Sequence, residues 1–273
     1  MGRFDGVLVC TDLDGTLFKK DKTVSRENRE AIEYFKSEGG AFTFITGRLP
    51  CYAETAYAAA SPNVPYGCAN DGGVYDGVAE RYVWTCPLDV RALALVEEID
   101  RAFPNVGIQT STFDHVYFSK ENEVMYHFRE VTGLQNLVRH WRDVDAPLCK
   151  MLFGISSEEE LFAVERTLRQ HPLAAEFQFV RSEKHLFEIL PRGMHKGVAL
   201  KKLVEHLGID PELTVAIGDY DNDVGMFKTA RLGVAVANAC PAAKAAADHV
   251  TVSNEEHAVA RVIEGLPRLL GLS

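Results

Sequence analysis

The chain has 273 residues, 47% of them hydrophobic and 25% charged, with 29 Lys and Arg set against 39 Asp and Glu. That composition belongs to an ordinary folded protein and excludes a collagen, a disordered tail and a disulfide scaffold. A formal net charge of −10 repels polyanions and argues against nucleic acid, while a bound metal and a few basic side chains still admit a small phosphate ester.

The first apolar run, Gly6-Val7-Leu8-Val9-Cys10-Thr11, reads as a strand buried on both faces and ends in Asp12-Leu13-Asp14-Gly15-Thr16-Leu17. A helix is expected over 25–38, with Ser25 as its N-cap, Asn28 at the N3 position and Gly39-Gly40 as its stop. A strand over 41–46 leads into Gly47-Arg48, so strand, helix and strand form a right-handed crossover.

The texture changes in the middle. Strands are expected over 107–111, 115–119, 150–155, 177–180 and 186–190, with helices over 88–102 and 157–170. Alternation of the first kind then returns: a helix over 196–207 ended by Gly208, a strand over 213–217, a helix over 222–230, a strand over 232–236 and a helix over 255–270. The fold class is α/β, a doubly wound parallel sheet built from residues 1–76 and 192–273, with an inserted α+β domain at 77–191.

The six cysteines are scattered and no C-x-x-C pair occurs, so neither a zinc site nor a disulfide framework is expected. No leader sequence is recognised and no apolar run reaches membrane length, which gives the expectation of a reduced, cytoplasmic protein with no membrane partner.

Four strings sit at strand ends or helix starts, where open α/β sheets bind their ligands. Asp12 and Asp14, two apart at a strand end, can divide nucleophilic and proton-transfer work on a phosphate ester, and Gly15 permits a tight exit. A D-x-D alone is equally an acidic turn. Thr46 with Gly47 can hydrogen-bond a phosphate oxygen, and Arg48 either contacts substrate or pairs with a surface carboxylate. Lys196 begins a helix, an unfavourable place for a cation, and can hold Asp12 and a phosphoryl group, although a solvated surface lysine is the commoner fate. His195 beside it reads as a loop residue. Gly218-Asp219-Tyr220-Asp221-Asn222-Asp223 gathers oxygen ligands for a hard cation, and its spacing fits magnesium better than a calcium loop.

Together these strings resemble the haloacid dehalogenase superfamily of phosphotransferases, and within it the Cof-type phosphatases with a type-IIB cap; the likeness runs through the whole chain in outline. The resemblance implies a Rossmann-like core, Asp12 as nucleophile and Asp14 as general acid/base. It implies Mg2+ on the Asp12 carboxylate, the Asp14 carbonyl and Asp219, supported by Asp223, with Thr46, Lys196 and Asn222 on the phosphate. It also sets Asn70-Asp71-Gly72-Gly73 where the family has an Asn-Gly stretch.

The activity so implied is hydrolysis of a small phosphorylated metabolite, a sugar phosphate or related ester. A hexose phosphomutase and a non-catalytic phosphate binder stay open, as do monomer and homodimer. Specificity is expected from the inserted domain; Arg81, Lys120, Lys150, Arg181, Lys184 and His185 are basic and lie in or beside its expected strands and loops, where most basic residues are surface charges.

Overall fold

The expected first strand forms as β1, Leu8–Thr11, with every residue buried. The computed structural model describes residues 2–69 and 71–271. Helix α1, Arg26–Ser37, starts where Ser25 Oγ accepts the Asn28 N–H at 3.2 Å. Asn28 does not close a capping box; its Oδ1 accepts the N–H of Ala260 at 2.9 Å, tying the helix to the far end of the chain. Strand β2, Ala41–Phe44, lies parallel to β1.

Beyond it come the short α2, Glu54–Ala60, and three antiparallel strands, β3 (Tyr66–Cys68), β4 (Gly73–Asp76) and β5 (Arg81–Thr85). Runs this short carry too few residues to show a period, so the sequence did not reveal them. They also shift a boundary. Because β5 pairs with β4, residues 53–85 cluster with the first unit rather than ending it at 76.

The second compact unit contains Leu49–Tyr52 and Cys86–Met194. Its elements are α3 (Ala92–Ala102), β6 (Gly107–Thr112), β7 (Val116–Lys120), α4 (Glu123–Thr132), β8 (Leu148–Gly154), α5 (Glu158–Gln170), β9 (Phe177–Glu183) and β10 (Leu186–Pro191). The strands form an antiparallel sheet in the order β7-β6-β8-β10-β9. Leu95, Val96 and Ile99 of α3 and Leu161, Val164 and Leu168 of α5 cover one face, packing on Ile108, Met151, Phe153, Phe187 and Ile189. Each such side chain contributes about 1.5–3 kcal/mol when fully buried. Helix α4 was missed by sequence; Asn122 caps it and Gly133, at φ 68°, ends it.

The first unit resumes with α6 (Lys196–Leu207), β11 (Thr214–Gly218), α7 (Val224–Thr229), β12 (Leu232–Ala235), α8 (Pro241–Ala246), β13 (His249–Val250) and α9 (Ala258–Leu269). The helix expected from 222 begins instead as a tight 3-10 turn, Asp221–Asp223. His195 is the N-cap of α6, its Nδ1 accepting the Gly197 N–H. All strand pairs of the central sheet are parallel, in the order β13-β12-β11-β1-β2. Helix α1 packs on α9 and α6 on α7. From β1 the chain winds outward to β2, and later to β11 on the other side, so the switch point lies between the ends of β1 and β11. No helix among the described residues is long and apolar enough to cross a membrane.

Candidate active site

Asp12 is the first residue past β1, and its N–H donates to Ile217 O of β11 at 2.8 Å, holding the two strand ends side by side. Asp219 is the first residue past β11, and Thr16 Oγ1 donates to its Oδ1 at 2.8 Å. Gly15 lets the chain pass between them: its φ is +85°, and a Cβ there would stand 2.5 Å from Asp219 Oδ2. Asn238 Nδ2 donates to Gly15 O at 2.8 Å and fixes the same turn from the C-terminal side.

Asp223 is fully buried. Its Oδ2 accepts the backbone N–H groups of Asp219 and Tyr220 at 2.7 and 2.9 Å, which shapes the turn after β11. Its Oδ1 accepts from Lys196 Nζ at 2.5 Å, and the same ammonium donates to Asp12 Oδ1 at 2.5 Å. Lys196 is therefore no solvated surface lysine; it is 2% exposed. Burial opposes its charge, but Asp12, Asp223 and Asp71 outweigh that and raise its pKa, so it stays protonated. Asn70, the start of the Asn-Gly stretch, lies outside the described residues.

Carboxylate oxygens of Asp12, Asp219 and Asp223 lie within 4.8 Å of one another. One ammonium does not balance three carboxylates. Burial pushes the Asp12 carboxyl up to about 7 against the pull of Lys196, with Asp223 adding to the rise. Burial also raises Asp219, to about 6; Thr16 eases that shift and Asp223 increases it. An all-oxygen cluster short of positive charge fits a hard divalent cation.

Asp14 lies on the exposed rim. Lys22 Nζ reaches its Oδ1 at 2.7 Å and Arg48 Nη2 its Oδ2 at 3.1 Å. Partial burial works against its charge, yet these two cations prevail and hold the carboxyl below its ordinary range. Thr46 is buried beyond the end of β2, its Oγ1 accepting the Arg48 N–H at 3.3 Å. Gly47 is exposed beside it, and Asn222 is exposed on the 3-10 turn. The structure thus gathers Asp12, Asp219, Asp223 and Lys196, pairs Asp14 with Arg48, and leaves Gly47 and Asn222 at the surface. Sequence reasoning assigned no part to Thr16, Lys22 or Asn238. Thr16 stood inside the first string; the other two become neighbours only through folding.

A doubly wound sheet with a carboxylate cluster and a buried lysine at its switch point is an α/β fold with a candidate ligand site where such sheets bind their ligands. The family of haloacid dehalogenase-like hydrolases matches residues 9–263, and the chain belongs to that family. It is a phosphoric monoester hydrolase, as its relatives are. It is 29% identical to the 5-amino-6-(5-phospho-D-ribitylamino)uracil phosphatase YitU of Bacillus subtilis over 261 residues, covering 94% of this chain and 96% of the relative. YwtE, a phosphatase of the same name from the same organism, is 28% identical, with 94% and 97% covered. Among solved structures, a haloacid dehalogenase-like hydrolase from Bacteroides thetaiotaomicron superposes with a TM-score of 0.84 at 26% identity, covering 95% of this chain and 99% of that one.

Proposed function

We propose that the chain is a magnesium-dependent phosphatase that removes the phosphoryl group from a small phosphorylated metabolite, a sugar phosphate or related ester, through an aspartyl-phosphate on Asp12. The observation that carries this reading is the shared ammonium of Lys196 between Asp12 and Asp223 at the switch point. The two Bacillus relatives are named for a phospho-D-ribityl compound, which supports a phosphate borne on a hydroxylated carbon chain.

Asp12, Asp219 and the Asp14 carbonyl would hold Mg2+, with Asp223 positioning Asp219 through its backbone N–H. The bound metal would neutralise charge so that an anionic carboxylate and an anionic phosphate can approach each other. Lys196 orients the Asp12 carboxylate and supplies a fixed positive charge for the phosphoryl oxygens. Thr46, Gly47 and Arg48, with Asn222, offer hydrogen-bond donors around the same phosphate.

In the first step an Asp12 oxygen attacks phosphorus, the bond to the ester oxygen breaks, and that oxygen takes a proton from Asp14. In the second, water attacks the aspartyl-phosphate, Asp14 takes its proton, and inorganic phosphate leaves with Asp12 restored. Clamped by Lys22 and Arg48, Asp14 is ionised, which suits the second step; the first requires those contacts to loosen.

The inserted unit is assigned the choice of leaving group, and a reduced cytoplasmic setting suits its scattered thiols. Phosphate release from p-nitrophenyl phosphate and a panel of metabolite esters, with magnesium and with EDTA, tests the reading. Release that depends on magnesium and vanishes in Asp12→Asn supports it. Turnover that ignores the metal sinks it, and isomerisation without net phosphate release would indicate a mutase.

A further inference from the structure

Between β1 and α1 the chain folds back on itself. The Lys19 N–H donates to Thr23 O and the Lys22 N–H to Lys19 O, both at 2.9 Å, closing a hairpin loop whose tip is Lys20, Asp21 and Lys22. Asp21 Oδ1 accepts the N–H of Thr23 at 3.0 Å and its Oγ1 at 2.6 Å. The loop is also tied from outside. Asn254 Nδ2 donates to Phe18 O at 2.9 Å, and the Lys20 N–H donates to Glu255 Oε1 at 2.8 Å.

The last position of such a tip is left-handed and is usually filled by glycine. Here it is Lys22, at φ +63°. Its ammonium reaches Asp14 Oδ1 at 2.7 Å, but 67% of the lysine side chain is exposed. The strain of a side chain in left-handed backbone exceeds what an ion pair in water usually returns, so stability does not account for a lysine at this point. Strain kept beside a reacting group points to a task for the side chain. Lys22 and Arg48 divide the Asp14 carboxylate between them, Lys22 Nζ on Oδ1 and Arg48 Nη2 on Oδ2 at 3.1 Å.

We propose that Lys22 is a positioning residue for Asp14: the strained loop aims its ammonium at Oδ1 and fixes the carboxyl, while Arg48 turns to the phosphate and leaves Oδ2 free for proton transfer; this rests on the phosphatase reading. As the phosphoryl group passes to Asp12, the bond to the ester oxygen breaks and that oxygen takes the proton from Asp14 Oδ2. When water attacks the aspartyl-phosphate, its proton returns to the same Oδ2. Lys22 keeps an acceptor in both states, because a neutral carboxyl still accepts on its other oxygen.

The test uses Lys22→Asn, since asparagine tolerates the left-handed backbone and carries no ammonium. Its Tm should match that of wild type. The readout is kcat/KM for p-nitrophenyl phosphate, phenyl phosphate and glucose 6-phosphate, whose leaving groups need a proton increasingly in that order. A misplaced acid costs most where the leaving group needs it most, so the ratio of phenyl phosphate to p-nitrophenyl phosphate should fall about tenfold in the variant, and that of glucose 6-phosphate at least as far. KM for p-nitrophenyl phosphate should stay near the wild-type value, and Lys22→Arg, which keeps a donor, should restore most of both ratios. Losses equal across the three substrates, no loss at all, or no recovery in Lys22→Arg overturn the positioning role and leave the phosphatase reading standing. A wild-type protein inert toward every ester overturns both.

Discussion

Lys196 Nζ lies 2.5 Å from Asp12 Oδ1, although 184 positions separate the two residues in the chain. The contact depends on two unrelated local decisions. Asp12 sits where β1 stops, and Lys196 sits where His195 caps α6. The sheet brings them together, and Asp223 holds the ammonium from the other side.

Removing that ammonium leaves buried carboxylates unpaired. Lys196→Met is expected to lose about 3–5 kcal/mol of stability at pH 8, the usual cost of breaking a buried pair from one side. Part of the loss should return as pH falls, because Asp12 and Asp219, already raised to about 7 and about 6, then take up protons. Denaturant unfolding at pH 8 and pH 5.5 checks this; an equal deficit at both would contradict it.

Asp12→Asn keeps the size of the side chain and removes the nucleophile. Hydrolysis should fall by about a thousandfold or more, while the circular dichroism spectrum stays that of wild type. Appreciable turnover by a purified variant would place the attacking group elsewhere.

Metal affinity should rise with pH. Asp219 must be ionised to bind a cation, and its carboxyl is raised to about 6, first by burial and then by Asp223. Asp12, raised to about 7, must be ionised as well, so protons compete with the metal at both carboxylates in acid and the Kd for Mg2+ should be weaker at pH 5 than at pH 8 by well over tenfold. Isothermal titration of the wild-type protein reads this directly.

Gly15→Ala places a methyl against Asp219 Oδ2 and forces a side chain into a backbone with φ +85°. It should cost about 1–2 kcal/mol, by strain, and weaken Mg2+ binding as Asp219 is displaced. The paired observation is a lowered Tm without added metal and a smaller rise in Tm when magnesium is supplied.

The inserted unit offers a control in the other compact unit of the chain. Asp100 accepts from Lys120 Nζ at 2.7 Å and from Trp141 Nε1 at 3.1 Å. Partial burial opposes its charge, but these donors outweigh it and lower its pKa. Its stabilisation is therefore full above the ordinary aspartate value and is lost as pH falls through the lower folded one. Asp100→Asn should cost about 1 kcal/mol at pH 7, with the difference from wild type closing below about pH 4. A gap that widens in acid would reverse the assignment.

The core elements were legible because each has a local cause. Leu8–Thr11 is an unbroken buried run, Ser25 is a hydroxyl one residue before α1, and Gly208 stops α6 with φ 65°. Helix α4 and strands β3 to β5 were not legible, since their short or mixed runs form only when neighbouring strands and packing supply the missing stability. Asn28 shows the limit within a correct reading. Its N3 position puts its N–H under the Ser25 cap, as the local pattern shows, and packing uses its side chain to tie α1 to α9.

By itself, the sequence determined the residue types at the strand ends: carboxylates after β1 and β11, a hydroxyl after β2, a lysine at the start of α6. Those choices are local, made by where hydrophobic runs stop and helices are capped. Only the tertiary structure decided that Lys196 would be buried between Asp12 and Asp223, and that Thr16 and Asn238 would brace the Asp219 side of the site. Burial and partner are properties of neighbours distant in the chain, and it is desolvation among those neighbours that moves the charges on which the chemistry depends.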